Sequence, residues 1–180
     1  ILILAIFFIS CSTDKTQYSE EQKPYMLPEK YEKMSQPGLV YISHISNKFV
    51  TVFDISTMES IGKVPCGNGS MCTYISVDGK RGYITNYNSG DLTVFDTKSN
   101  ETIATVIAGS NPTFLLAINS GKDLLISHQS SEGIWVLNTP NNSITKSLKQ
   151  CTGPLYYIEK ENKVYQPQIF TPYLYIIDPA

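Results

Sequence analysis

Gly82-Tyr83-Ile84-Thr85-Asn86, followed after five residues by Leu92-Thr93-Val94-Phe95-Asp96, is the stretch that decides the fold. The same phrase stands 42 residues earlier as Val40-Tyr41-Ile42-Ser43-His44 and Val50-Thr51-Val52-Phe53-Asp54. It stands 42 residues later as Leu124-Leu125-Ile126-Ser127-His128 and Ile134-Trp135-Val136-Leu137-Asn138. A looser fourth copy begins at Val164-Tyr165 and reaches Leu174-Tyr175-Ile176-Ile177-Asp178. Asp54, Asp96 and Asn138 are thus spaced 42 and 42 apart, and Asp178 follows 40 later. A period of about 40–45 residues built from several short strands indicates a β-propeller or related array.

Within each copy the apolar residues alternate. Val50, Val52 and Asp54 point one way and Thr51 and Phe53 the other, as successive side chains of a strand must. Both sets are largely apolar or β-branched, which fits a sheet covered on both faces by neighbouring blades. Asp78-Gly79-Lys80, Asn88-Ser89-Gly90-Asp91 and Ser120-Gly121-Lys122 supply turn chemistry between the strands. The second unit is expected to hold strands near 71–77, 82–86, 91–96 and 102–107, and the third near 113–118, 124–128, 133–138 and 143–149. Consecutive pairing gives an all-β chain of four-stranded antiparallel meander blades.

These residues, together with Ile103-Ala104-Thr105-Val106, Gly109, Pro112 and Gly121-Lys122, resemble the YVTN β-propeller repeat. Asp78-Gly79-Lys80-Arg81 matches it as well. The resemblance covers about 140 residues, clearest in the second unit and weakest in the fourth, where Gln166-Pro167-Gln168 replaces the Val-Thr-Asn core. It implies a seven-bladed ring, of which residues 38–180 would supply about 3.5 blades, and a secreted or envelope protein.

The first nine residues are wholly apolar, too short at ~1.5 Å per residue to span a bilayer as they stand. Phe8-Ile9-Ser10-Cys11 resembles a bacterial lipobox, with Phe8 in place of the usual Leu. That likeness makes residues 1–11 the end of a lipoprotein signal peptide whose start is missing, and Cys11 the lipidated residue. Acyl chains there would hold the membrane at ~0.8 kcal/mol per buried CH₂. Ser12 resembles outer-membrane sorting in a Gram-negative host. Residues 12–37 are polar and include Pro24, Pro28 and Pro37, so they read as a tether, reaching roughly 25–30 Å from the membrane.

A net charge of −2 carries no basic footprint for nucleic acid. Cys66 and Cys72 could close a disulfide around the loop between two blades, although that loop crosses ~14 Å at ~4.8 Å per strand and a disulfide needs Cα atoms within about 7 Å. Free buried thiols are the other reading, and Cys151 is left over either way. His44, Asn86, His128 and Gln168 share one repeat position at the end of the second strand, on the face that also carries the loops between blades. They form a candidate ligand face. A polar residue there also satisfies turn backbone, and the histidines lie two blades apart, so no metal is expected. Asp54, Asp96, Asn138 and Asp178 precede turns and are expected to accept backbone N–H bonds rather than act as acid–base pairs.

Trp135 is expected to pack between blades. Tyr156, Tyr157, Tyr165, Tyr173 and Tyr175 offer an aromatic surface of which only part can face outward. No catalytic residue, cofactor or Cys-x-x-Cys-His haem motif is apparent. The function expected is a lipid-anchored envelope module that binds a protein, glycan or small ligand. The alternative is a periplasmic propeller subunit of a redox or hydrolytic enzyme whose cofactor or catalytic part lies outside this chain.

Overall fold

The computed structural model describes residues 38–129, 133–148, 153–167 and 172–179. Cys11, the stretch 12–37, Cys151 and Gln168 lie outside the described residues. The first sheet holds β1 (Leu39–Ile42), β2 (Phe49–Asp54) and β3 (Glu59–Pro65) in that order. The second holds β4 (Ser70–Ile75), β5 (Arg81–Asn86), β6 (Asp91–Asp96) and β7 (Thr102–Ile107). The third holds β8 (Pro112–Ile118), β9 (Asp123–His128), β10 (Ile134–Asn138) and β11 (Ser143–Leu148). The fourth holds β12 (Tyr156–Ile158), β13 (Lys163–Pro167) and β14 (Leu174–Ile177). Every pair is antiparallel and joins strands consecutive in sequence, so each sheet is a meander.

The repeat extends to the irregularities. The pairing to the outer strand slips between Val52 and Phe53, between Val94 and Phe95, and between Val136 and Leu137. The innermost pairing slips between Ser70 and Thr73 and again between Pro112 and Leu115. Such bulges increase local twist, which a blade stacked against two neighbours requires.

Three apolar cores lie between the sheets, one per junction. Val50, Val52, Val64, Ile75, Ile84 and Phe95 join the first and second blades. Tyr83, Leu92, Val94, Leu124, Ile126 and Leu137 join the second and third. Ile118, Leu125, Ile134, Val136, Leu155 and Val164 join the third and fourth. Period-2 alternation makes this possible: Ile84 faces one junction and its neighbour Tyr83 the other. Trp135 is half-buried against the core between the second and third blades.

Two rims result. The upper rim carries the hairpins after the second strand of each blade and the loops between blades, and is laced by Gly69 N–H to Asn47 O (3.2 Å) and Tyr87 N–H to Gly69 O (2.8 Å). The lower rim carries the turns at 76–80, 97–101, 119–122 and 139–142.

Candidate functional site

His44, Asn86 and His128 all reach the upper rim, on three successive blades. Each is engaged. His44 Nε2 lies 2.8 Å from Thr51 Oγ1, and its ring sits 5.3 Å from that of Phe49. Asn86 is fully buried and donates through Nδ2 to Thr93 Oγ1 (2.8 Å) and to Asp91 Oδ1 (2.5 Å). Thr93 is the repeat equivalent of Thr51, so the first two blades use one device: a polar side chain ends the second strand and bonds a Thr on the third.

The third blade departs from it. Trp135 replaces the Thr, and its ring lies tilted against that of His128, centroids 5.4 Å apart, instead of accepting a bond. His128 is fully buried, and its nitrogens turn to backbone: Nδ1 lies 2.8 Å from Gly133 O and Nε2 2.5 Å from Ala108 O. The second contact crosses to the loop that leaves the second blade.

In the fourth blade the buried polar residue described is Gln166, which the sequence marks as part of the altered Gln166-Pro167-Gln168 core but which the candidate ligand face does not include. It occupies the position of Ile42, Ile84 and Ile126, opposite Tyr175. Its Nε2 donates to Gly153 O at 3.0 Å, while Oε1 is buried with no hydrogen-bond partner. The break in the apolar alternation at Gln166 is the signal that marks it.

Gly67 crosses directly over this rim. A Cβ there would lie 2.5 Å from both Asp91 Oδ1 and Ser89 Oγ and 2.7 Å from Asn86 Nδ2. The Gly67 N–H donates to Thr93 Oγ1 at 3.2 Å. Glycine is needed there for close approach of backbone to a polar cluster.

Cys66 and Cys72 are free thiols, not a disulfide. The loop between them crosses from an outermost strand to an innermost one, and the two side chains end in different surroundings. Cys66 packs on the core between the first two blades, whereas Cys72 is buried in β4, its N–H bonded to Thr85 Oγ1 at 3.0 Å. Burial pushes each thiol up to about 11, so neither is an activated nucleophile. Among the described residues, no three His, Cys, Asp or Glu side chains come together as metal ligands.

The recurring Asp/Asn position divides by chemistry. Asp54 Oδ1 accepts from Ser56 N–H (2.7 Å) and Ser56 Oγ–H (2.6 Å). Asp96 Oδ1 accepts from the N–H groups of Lys98 and Ser99, both at 2.9 Å. Asn138 does not take this role. Its Nδ2 points across to Asp123 Oδ1 at 3.5 Å, and Asn141 instead accepts from Ser143 N–H at 3.2 Å. An amide with a donor finds the facing carboxylate, which a carboxylate in its place could not do. Asp178 pairs with Lys163 at 2.8 Å.

Side-chain and backbone bonds from Ser56 hold Asp54 below its ordinary value, and backbone bonds from Ser99 and Lys98 do the same for Asp96. A lowered folded value means stability that is present above the unfolded value, about 3.9, and lost as pH falls through the folded one. Acid unfolding followed by circular dichroism should therefore set in below about pH 4, and Asp54→Asn with Asp96→Asn should flatten that loss. An unchanged acid profile in the double variant would remove these carboxylates from the account.

Five tyrosines gather in the fourth blade. Tyr156, Tyr173 and Tyr175 are exposed, Tyr157 packs on the core between the third and fourth blades, and Tyr165 OH donates to Glu161 Oε2 at 2.6 Å.

The lower rim holds a feature that sequence reading did not isolate. A cleft of about 550 Å³ opens between the second and third blades, lined by Lys80, Arg81 and Lys122 among others. Its signal was present: Lys80 and Lys122 are 42 residues apart and so repeat on one face.

The sequence matches no protein-family model and no curated protein. Solved structures do match in fold. Hydrazine synthase of Kuenenia stuttgartiensis is 19% identical with a TM-score of 0.70, over 84% of this chain and 49% of that one. Dihydro-heme d1 dehydrogenase NirN in complex with DHE is 17% identical with a TM-score of 0.55, over 77% and 34%. A functionally unknown protein from Desulfotomaculum acetoxidans DSM 771 is 12% identical with a TM-score of 0.65, over 78% and 50%. The chain thus spans half or less of the length of each. With these likenesses and its four meander sheets, the chain is a β-propeller of about three to four blades.

Proposed function

We propose that this chain is a YVTN-type propeller lipoprotein, anchored in the bacterial envelope through lipid on Cys11 and acting as a non-catalytic binding module. One observation carries the binding reading. The polar side chains that recur on the upper rim are taken up by the frame: His44 by Thr51, Asn86 by Thr93 and Asp91, His128 by two backbone carbonyls. What the rim turns outward is loop surface with exposed polar groups such as Asn88 and Ser89. Such a surface suits recognition of a protein or glycan more than proton transfer. The apolar run ending in Ser10-Cys11 supports the anchor, and the polar residues 12–37 support a tether.

A second reading is favoured by two of the folds it resembles, a hydrazine synthase and a dihydro-heme d1 dehydrogenase. It makes the chain part of a periplasmic redox propeller whose cofactor is held by elements outside this chain. Two measurements separate the readings. Expressed in a Gram-negative host with a complete signal peptide, the protein should take up an alkyne-tagged palmitate, and Cys11→Ala should abolish the label. A label that survives Cys11→Ala sinks the anchor. Haem bound stoichiometrically by the protein isolated from its native envelope, in whatever assembly it forms there, would favour the redox reading; a preparation of that kind with no Soret band supports the module reading.

A further inference from the structure

We propose that the lower-rim cleft between the second and third blades binds a small organic anion, one with a phosphate or carboxylate head and an apolar body. This goes beyond the binding reading above, because the cleft lies on the opposite rim from His44, Asn86 and His128. The cleft, about 550 Å³ and open to solvent, has room for a small ligand to lie against its walls. It is walled by apolar groups, Val77, Tyr83 and Pro140, and edged by Lys80, Arg81 and Lys122.

The charge is offset only in part from within, by the single carboxylate of Asp78, which interacts electrostatically with Lys80 and Arg81. Among the described residues the ion pair is Lys163–Asp178, on the fourth blade, so no cation at the cleft is salt-bridged. Asp78 is the one carboxylate in its lining, and its Oδ1 is committed to the turn, accepting from Ser76 Oγ–H (2.6 Å) and Lys80 N–H (3.1 Å).

Arg81 is already positioned. Its Nη1 donates to Thr139 O at 3.3 Å, reaching from the second blade to the lower turn of the third. A guanidinium has five N–H donors, so this bond orients the fork and leaves others for a carboxylate or phosphate. The third blade supplies Lys122 from a turn held by Thr139, whose Oγ1 donates to Gly121 O at 2.8 Å. Close approach of the blades fixes the walls: a Cβ on Gly121 would lie 3.1 Å from Val77 Cγ2 and 3.3 Å from Tyr74 OH. Cations from two blades therefore converge on one apolar-walled space, an arrangement that neither blade makes alone.

The test uses the ¹⁵N-labelled 180-residue chain and three probes: phenyl phosphate, inorganic phosphate and benzyl alcohol. Phenyl phosphate at millimolar concentration should shift amides at 76–81, 120–122 and 139, and bind more tightly than either other probe. Lys80→Ala with Lys122→Ala should weaken it at least tenfold. Both lysines are exposed and in no ion pair, so this variant should keep the wild-type melting temperature. Arg81→Lys, which keeps the charge but loses the fork, is the second variant and should weaken binding several-fold. Equal binding by the double-lysine variant, or shifts confined to the upper rim, would overturn the proposal. Equal affinity for inorganic phosphate would remove the apolar body from it.

Discussion

Phe95→Ala should cost about 3–5 kcal/mol of folding stability, the range for truncating a large buried aromatic. Phe95 is fully buried and sits in the core that joins the first two blades, 5.3 Å from the ring of Tyr41. Its ring lies over Gly82, its partner across the β5–β6 pair. A Cβ on Gly82 would overlap the ring atoms Cε1 and Cζ of Phe95. Gly82→Ala should therefore destabilise too, by about 1–3 kcal/mol, as overpacking does in tight cores. The other blades show how the pair can trade volume: Val40 faces Phe53 and Leu124 faces Leu137. Phe95→Leu should then relieve Gly82→Ala, with a coupling of about 1 kcal/mol or more in a double-mutant cycle. Urea denaturation with an unchanged m-value measures all four variants, the double one included. Additive losses would mean that the ring and the glycine do not share one space.

The same pair shows what the sequence discloses. Alternation, turn residues and the 42-residue spacing place the strands of the second and third blades to within a residue or two. Most of these strands differ by one residue at an end and β4 by two, and the innermost strands β4 and β8 each start one residue early, at Ser70 and Pro112. Bulges after those residues break the strict period that the reading relies on. Rim chemistry is less legible because it depends on partners. His44 and His128 share a repeat position, but residues 51 and 135 decide what each can bond. Asp54 and Asn138 also share a position, yet only a carboxylate must find donors in its own turn. The lower cleft lay furthest from view. It needs Arg81 of one blade and the turn of the next, and repeat spacing shows which face residues share without showing how closely blades approach.

His128→Leu should cost about 1–3 kcal/mol, because it leaves a buried backbone carbonyl, of Ala108 or Gly133, without its ring donor. Which carbonyl receives the proton depends on the ring's tautomer. Leu fills similar space, so the loss reports on polar satisfaction more than on a cavity. His128→Asn should fare little better alone. The shorter amide cannot bridge both carbonyls, and Trp135 stands where the second blade offers Thr93 Oγ1 to Asn86. Adding Trp135→Thr recreates that pair. The double variant loses the indole's packing, so it should stay below wild type, yet it should be more stable than the sum of its single losses by about 1 kcal/mol. The measurement is again the urea midpoint, with amide exchange at 108–111 as a local readout, since the His128–Ala108 bond ties that loop to the third blade. If His128→Leu unfolds at the wild-type midpoint, the histidine is not a clamp between blades.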